Sequence, residues 1–152
     1  MKRRKTVLLA DDSDEFRWLM WKISEDHGRF SMMTVGSGRD VLLSVQKHTP
    51  DLLLIDTVLP DICGLAVLEE LRRQGYVPKT IFLSSIASEH IARKALDLGA
   101  LHFVTKPFHA GKLFDMMYRL LHSCPQHPPL LTVIRAKSRK NTDAWPMLYC
   151  RA

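Results

Sequence analysis

Short apolar runs alternate with amphipathic segments along this chain. Five runs of four to six residues are rich in Val, Leu, Ile or Phe, as expected for strands of a sheet that is covered on both faces. The segments that follow them repeat apolar residues at helical spacing, for example at Phe16, Met20 and Ile23, so each predicts a helix with one buried face. The predicted strands are residues 7–10, 30–35, 52–55, 80–83 and 101–104.

Residues suited to helix ends bracket several of these helical segments. A serine at an N-cap accepts a hydrogen bond from a free backbone N–H, and a glycine after the last turn adopts the left-handed conformation. Serines precede three of the segments and glycines follow three, which supports the helix assignment. They are Ser13, Ser37 and Ser88 at the starts and Gly28, Gly75 and Gly99 at the ends.

Strands that alternate five times with helices predict an α/β fold, a doubly wound five-stranded parallel sheet with helices on both faces. In such a sheet, ligands bind beside the carboxyl ends of the strands, near the point where the strand order reverses. Polar side chains follow four of the five predicted strands, so we expect them to gather at one edge of the sheet. They are Asp11 and Asp12 after the first strand, Asp56 after the third, Ser84 and Ser85 after the fourth, and Thr105 and Lys106 after the fifth.

The chemistry of these side chains suits phosphoryl transfer. Three neighbouring carboxylates, Asp11, Asp12 and Asp56, would repel one another, and a hard divalent cation such as Mg²⁺ relieves that repulsion because it prefers oxygen ligands. Beside Mg²⁺, the Asp56 carboxylate can act as a nucleophile and form an aspartyl phosphate. The Lys106 ammonium and the Ser84 hydroxyl would then stabilise the charge on the transferring phosphoryl oxygens.

Composition and charge divide the chain into a domain and a tail. Its 152 residues, 46% of them hydrophobic, suit one globular domain, and no apolar run approaches the roughly 20 residues of a membrane helix. The net charge is +6, but residues 2–5 carry +4 and residues 123–152 another +4, which leaves −2 on residues 6–122. We predict a cytoplasmic folded domain over residues 1–122 and a Pro-containing linker with a flexible basic tail over residues 123–152.

Together, these residues resemble the receiver domain of bacterial two-component response regulators. The resemblance runs from about residue 6 to residue 121 and rests on landmarks that occur in the family's order, each near a predicted strand end. Two further runs, GLAVLEELR and ALDLGALHFVTKPF, are most similar to the receivers of sporulation regulators. The landmarks are Asp11 and Asp12, Asp56, Pro60 and Gly64 in the loop DTVLPDICG, Ser84, Phe103, and the run Lys106, Pro107 and Phe108.

The resemblance implies a flavodoxin-like strand order, 2-1-3-4-5, and a Mg²⁺ site. In the family's pattern, Asp11, Asp12 and Asp56 supply carboxylate ligands. The backbone carbonyl of Val58 supplies another. Asp56 accepts the phosphoryl group from a histidine kinase or a phosphotransfer protein, and Lys106 pairs with that group. Such a domain is not a classical enzyme, although it catalyses its own phosphorylation and dephosphorylation.

The resemblance also implies a conformational switch. Ser84 moves to bond the phosphoryl group and Phe103 changes rotamer, which alters a surface made by the fourth helix, the fifth strand and the fifth helix. An output partner, or a second copy of the chain in a homodimer, would bind that surface. The family further implies a cis peptide bond between Lys106 and Pro107.

Other functions fit the residues less well. A phosphatase of the haloacid dehalogenase type needs a second aspartate two positions after the nucleophile, where this chain has Val58. A flavodoxin needs a first loop that attracts phosphate, whereas residues 11–15 are acidic.

Two alternatives stay open. In the first, the chain is the receiver part of a DNA-binding transcriptional regulator. Residues 123–152 lack a helix-turn-helix pattern, however, and predict no nucleic-acid partner through this chain alone. In the second, the chain is an interaction module that works without phosphorylation.

Overall fold

Five parallel strands alternate with five helices in residues 3–123, the part of the chain that this computed structural model describes. The sheet order is β2-β1-β3-β4-β5, which confirms the predicted doubly wound fold and its strand order. The strands are β1 (Thr6–Ala10), β2 (Ser31–Val35), β3 (Leu52–Asp56), β4 (Lys79–Ser84) and β5 (His102–Thr105). The helices are α1 (Asp14–His27), α2 (Gly38–His48), α3 (Gly64–Arg73), α4 (Glu89–Asp97) and α5 (Ala110–His122).

Successive side chains of each central strand enter two different cores, because strand side chains alternate between the faces of a sheet. In β3, for example, Leu54 packs in one core and Ile55 in the other. Helices α1 and α5 cover the first core, with Met20 and Leu113 among its buried residues. Helices α2, α3 and α4 cover the second core. A sheet buried on both faces explains why its central strands contain continuous apolar runs.

The predicted helix ends are confirmed. The side chains of Ser13, Ser37 and Ser88 each accept a hydrogen bond from the backbone N–H three residues later. Gly28 closes α1 with a φ of 62°, a conformation that favours glycine. Gly75 and Gly99 also have positive φ, one residue beyond the caps of α3 and α4.

At their carboxyl ends, β3, β4 and β5 each extend one residue further than the apolar pattern predicts, and in β3 and β4 the extra residue is a functional candidate. Asp56 is the last residue of β3 and pairs in register with Leu83. Ser84 is the last residue of β4. The ladder continues because the Thr57 N–H donates a hydrogen bond to the Leu83 carbonyl at 3.0 Å. Both polar side chains are therefore held by strand backbone rather than by a loop.

The predicted tail lies outside the described residues, apart from Ser123. Within residues 3–123, no helix is both long enough and apolar enough to cross a membrane. Cys63 is a free, exposed thiol.

Asp51 ties the beginning of β3 to the beginning of β1. Its carboxylate accepts hydrogen bonds from the Thr6 backbone N–H at 2.8 Å and from the Lys5 ammonium at 3.1 Å. Burial raises the pKa of this carboxyl, but these hydrogen bonds outweigh burial, so the pKa of Asp51 is lowered from its ordinary value. The ionised form therefore stabilises the folded chain.

We expect Asp51→Asn to lower the free energy of unfolding at pH 7 by about 1.5 kcal/mol, the lower end of the range for a hydrogen bond to a charged group. Because the folded-state pKa lies below the unfolded-state one, this stabilisation is present above the unfolded-state pKa of about 3.9 and is lost as the pH falls through the folded-state pKa. Urea unfolding at neutral and acidic pH measures the difference between the two proteins. Asp26→Asn, at an exposed α1 carboxylate, is the matched control and should change little. A difference that persists unchanged in acid would contradict this account.

Candidate functional site

Strand topology brings three carboxylates and one ammonium group to the carboxyl edge of the sheet. Asp11 and Asp12 directly follow β1, Asp56 ends β3, and Lys106 follows β5. One oxygen of each carboxylate lies within 4.8 Å of the corresponding oxygens of the other two. Asp11 and Asp56 are buried, with exposed fractions of 0% and 3%, whereas Asp12 is exposed. The predicted cluster therefore exists and opens to solvent on the side of Asp12.

Lys106 bridges the two buried carboxylates. Its ammonium nitrogen lies 2.5 Å from Asp56 Oδ2 and also donates a hydrogen bond to Asp11 Oδ2. The same nitrogen lies 4.5 Å from the centre of the Phe16 ring, a cation–π contact. Burial lowers the pKa of Lys106, but the two carboxylates outweigh it and the pKa is raised. Lys106 therefore stays charged.

The surroundings of Asp11 disfavour its charged form, whereas those of Lys106 favour the charged form. Burial raises the pKa of this carboxyl, and neither the Lys106 ammonium nor the Ser13 N–H, at 2.9 Å from Oδ1, fully offsets that effect. The negative charge on Asp11 is thus incompletely compensated by the protein. A site with excess buried negative charge and oxygen donors is suited to a cation.

The donor set fits Mg²⁺. Carboxylate oxygens are the protein ligands that this ion prefers, and it is typically held by one or two of them while it keeps water and phosphate as further ligands. Asp11, Asp12 and Asp56 would hold the ion. Val58 lies beside the cluster, and its backbone N–H donates a hydrogen bond to Asp56 Oδ1 at 2.9 Å. Its carbonyl as a further ligand stays a prediction.

Thr57 is a site residue that the sequence analysis missed. Its hydroxyl oxygen lies 2.8 Å from the Ser84 hydroxyl oxygen and 3.5 Å from Asp56 Oδ1. Ser84 is fully buried, and its hydroxyl also bonds the backbone of Ile86, accepting from the N–H at 3.0 Å. The Ser84 hydroxyl is therefore engaged in this structure. Only the register between β3 and β4 could have indicated this pair. Because Asp56 pairs with Leu83, the next residues on the two strands, Thr57 and Ser84, lie side by side.

The arrangement of strands, carboxylates and lysine matches one family over most of the chain. The model of the response regulator receiver domain family matches residues 7–118, which is well over half of the 152 residues. This chain belongs to the response regulator receiver domain family. It is thereby a receiver of two-component signalling, as the resemblance implied.

Solved receiver structures agree with this assignment. The signal receiver domain of a putative Luxo repressor protein from Vibrio parahaemolyticus is 27% identical, with a TM-score of 0.74 over 78% of this chain and 91% of that one. The receiver domain of the Francisella response regulator 1452 is 26% identical, with a TM-score of 0.72 over 77% and 96%. A CheY-like receiver from Methanospirillum hungatei, at 24% identity, has a TM-score of 0.73 over 78% and 94%, a likeness in fold.

In this receiver, Phe103 is a core residue of β5. It is 3% exposed, pairs in register with Phe82, and packs in the core on the side of α2, α3 and α4. The peptide bond between Lys106 and Pro107 is cis, which confirms the prediction. Phe103 thus lies on β5, and Lys106 directly follows the end of this strand, three residues later.

Gly64 is one of the receiver landmarks, and close packing against β3 requires a glycine at this position. A Cβ atom at this position would lie 2.2 Å from the backbone carbonyl oxygen of Asp56, far inside contact distance. The Gly64 N–H also donates a hydrogen bond to the Thr57 carbonyl at 3.0 Å. Only glycine lets the start of α3 pack directly against the strand end that carries Asp56.

Proposed function

We propose that this receiver accepts a phosphoryl group on Asp56 from a histidine kinase or a phosphotransfer protein and that Mg²⁺ assists the transfer. The observation that carries the proposal is the environment of the Asp56 carboxylate, which is buried, bridged by Lys106 to Asp11, and clustered with two other carboxylates. We also propose that residues 1–122 form the receiver unit and that the protein is cytoplasmic.

The chain's own groups have separate tasks in this transfer. An Asp56 oxygen forms a bond to phosphorus while the bond between phosphorus and the donor atom breaks and the donor leaves with the electron pair. The Val58 N–H fixes the carboxylate through Oδ1, and Lys106 pairs with the charge on the phosphoryl oxygens. Mg²⁺, when bound, neutralises further charge on the same oxygens. Later attack by water would release phosphate and restore the free carboxylate.

Divalent cation removal should strongly reduce phosphoryl uptake. We expect incubation of the full chain with acetyl phosphate and Mg²⁺ to add one phosphoryl group, and EDTA to reduce the modified fraction at least about tenfold, because the transferring charge is then opposed only by Lys106. Intact-mass measurement over time gives both fractions. Labelling that is equal with and without EDTA would refute the metal requirement, and absence of labelling in both would refute the acceptor role.

We further propose that phosphorylation acts through Ser84 and Phe103. A phosphoryl group adds roughly two negative charges and acceptor oxygens, and must compete with Thr57 for the Ser84 hydroxyl. If Ser84 is drawn towards the site, the adjoining residues of β4 and β5 must adjust, and Phe103 lies on β5 beside β4. The surface of α4, β5 and α5 would change and bind an output partner or a second copy.

Beryllofluoride, a mimic of the phosphoryl group, should therefore change amide chemical shifts around Ser84, Phe103 and α4 as well as around Asp56. Phe103→Leu keeps the core apolar, whereas truncation to Ala would cost about 3–5 kcal/mol of stability and obscure the result. We expect the Leu variant to respond normally near Asp56 and weakly in α4. Shift changes confined to the Asp56 loop in the wild type would leave a phosphate acceptor without a switch.

A further inference from the structure

A cleft of about 390 Å³ lies at the edge of the sheet opposite Asp56. It is formed by the segment before β1, the turn before β2 and the last turn of α5. A hydrogen bond from the Ser31 N–H to the Lys5 carbonyl joins the first two of these. Within residues 3–123, its lining contains four permanent cations and no carboxylate. The lining residues are Arg3, Arg4, Lys5, Arg29, Leu121 and His122.

Nearby carboxylates neutralise only part of this charge. Asp51 accepts hydrogen bonds from both Arg3 and Lys5, at 3.1 Å from each. Arg29 lies 3.7 Å from Asp115, whose side chain is 67% exposed. Three of the four cations thus pair with two carboxylates and Arg4 pairs with none within residues 3–123, which leaves a local excess of two positive charges.

Arg4 and Arg29 are the cations best placed for a ligand. Arg4 is exposed and forms no ion pair or side-chain hydrogen bond within the described residues. The Arg29 guanidinium lies 5.0 Å from the centre of the Tyr118 ring, which in turn lies 4.2 Å from the His122 ring. This stack restricts Arg29 before any ligand arrives, so less side-chain freedom is lost on binding.

We propose that this cleft binds a compact, multiply charged phosphate anion, such as an oligophosphate or the phosphate chain of a nucleotide. Guanidinium groups match phosphate oxygens with paired hydrogen bonds, and here they converge from separate segments on one concavity. The volume suits a small ligand. Residues 124–152 contain five basic side chains and a single acidic one, Asp143, so the tail offers little internal competition. The proposal does not depend on phosphorylation of Asp56.

Calorimetry with the full chain and sodium tripolyphosphate, in EDTA, tests the proposal. We expect one binding site whose affinity falls as salt is raised, because the cleft is open to solvent. The double variant Arg4→Gln, Arg29→Gln should weaken binding about tenfold or more, as expected for the loss of two charge-assisted contacts. The matched control, Arg39→Gln with Arg93→Gln, removes the same charge from exposed positions on α2 and α4 and should bind within about twofold of wild type.

Further arms identify the source of the phosphate. Binding of ATP as tight as tripolyphosphate indicates a nucleotide site, and much weaker ATP binding indicates an inorganic oligophosphate site; both support the proposal. Equal losses in the two double variants, no binding of tripolyphosphate, or binding of a DNA duplex in its place would overturn it. If the Arg29 change impairs folding, Arg4→Gln alone, at a side chain with no ion pair or side-chain hydrogen bond within residues 3–123, should still weaken binding severalfold, and an unchanged affinity would overturn the proposal.

Discussion

Replacement of Asp56 by Asn should remove phosphoryl uptake from this receiver. An amide is not a nucleophile at neutral pH, so we expect the phosphorylated fraction after treatment with acetyl phosphate and Mg²⁺ to fall by at least about a hundredfold, as losses of a nucleophile typically do. Intact-mass measurement gives the fraction, and peptide mapping locates any residual group.

The same variant should remain folded, which separates a lost acceptor from a lost structure. Asn has the shape of Asp, and the change removes one of three mutually repelling carboxylates, so the free energy of unfolding should not decrease. Asp97→Asn, at an exposed carboxylate on α4, is the matched control and should label like the wild type. Wild-type labelling of Asp56→Asn at another residue would place the acceptor elsewhere.

The fold was predictable because its main determinants are local. Apolar runs at Leu52 to Ile55 and their equivalents, helical spacing after each run, and serines at Ser13, Ser37 and Ser88 all specify the same alternation. Parallel topology then places the residues at strand ends on one edge, whatever their distance along the chain. Asp56 and Lys106, 50 positions apart, were predicted to meet for that reason.

The contacts within the site were not predictable from periodicity. The pairing of Thr57 with Ser84 depends on the register between β3 and β4, and a shift by one residue would turn each side chain to the other face. The bridging position of Lys106 between Asp11 and Asp56, beside the Phe16 ring, is set by side-chain geometry that periodicity does not describe. The cleft at the opposite edge depends on how Arg4 and Arg29 approach in space, which local patterns do not encode.

Loss of the Lys106 charge should destabilise this receiver more than loss of any exposed lysine. Lys106→Met keeps the aliphatic length but leaves Asp11 and Asp56 as buried carboxylates without their shared cation. We expect the free energy of unfolding at pH 7 to fall by about 3 kcal/mol, in the range observed when one partner of a buried ion pair is removed. Lys22→Met, in an exposed pair with Asp26, should cost less than about 1 kcal/mol.

Acid and Mg²⁺ should each reverse much of this loss, for the same electrostatic reason. Burial already raises the pKa of Asp11, and removal of Lys106 should raise this pKa further. The folded variant should then bind a proton more readily than the unfolded chain. Its stability should therefore increase as the pH falls through the folded-state pKa of Asp11. In the wild type, Lys106 contacts Asp11 and Asp56, two of the carboxylates that would hold Mg²⁺, so we expect the ion to compete with Lys106 for them. Mg²⁺ should therefore raise the melting temperature of Lys106→Met more than that of the wild type. Phosphoryl uptake by the variant should nevertheless remain slow, because the cation that pairs with the phosphoryl group is missing. Thermal unfolding across Mg²⁺ concentrations and pH measures these effects. Equal Mg²⁺ stabilisation of both proteins would show that Lys106 does not share the metal's oxygens.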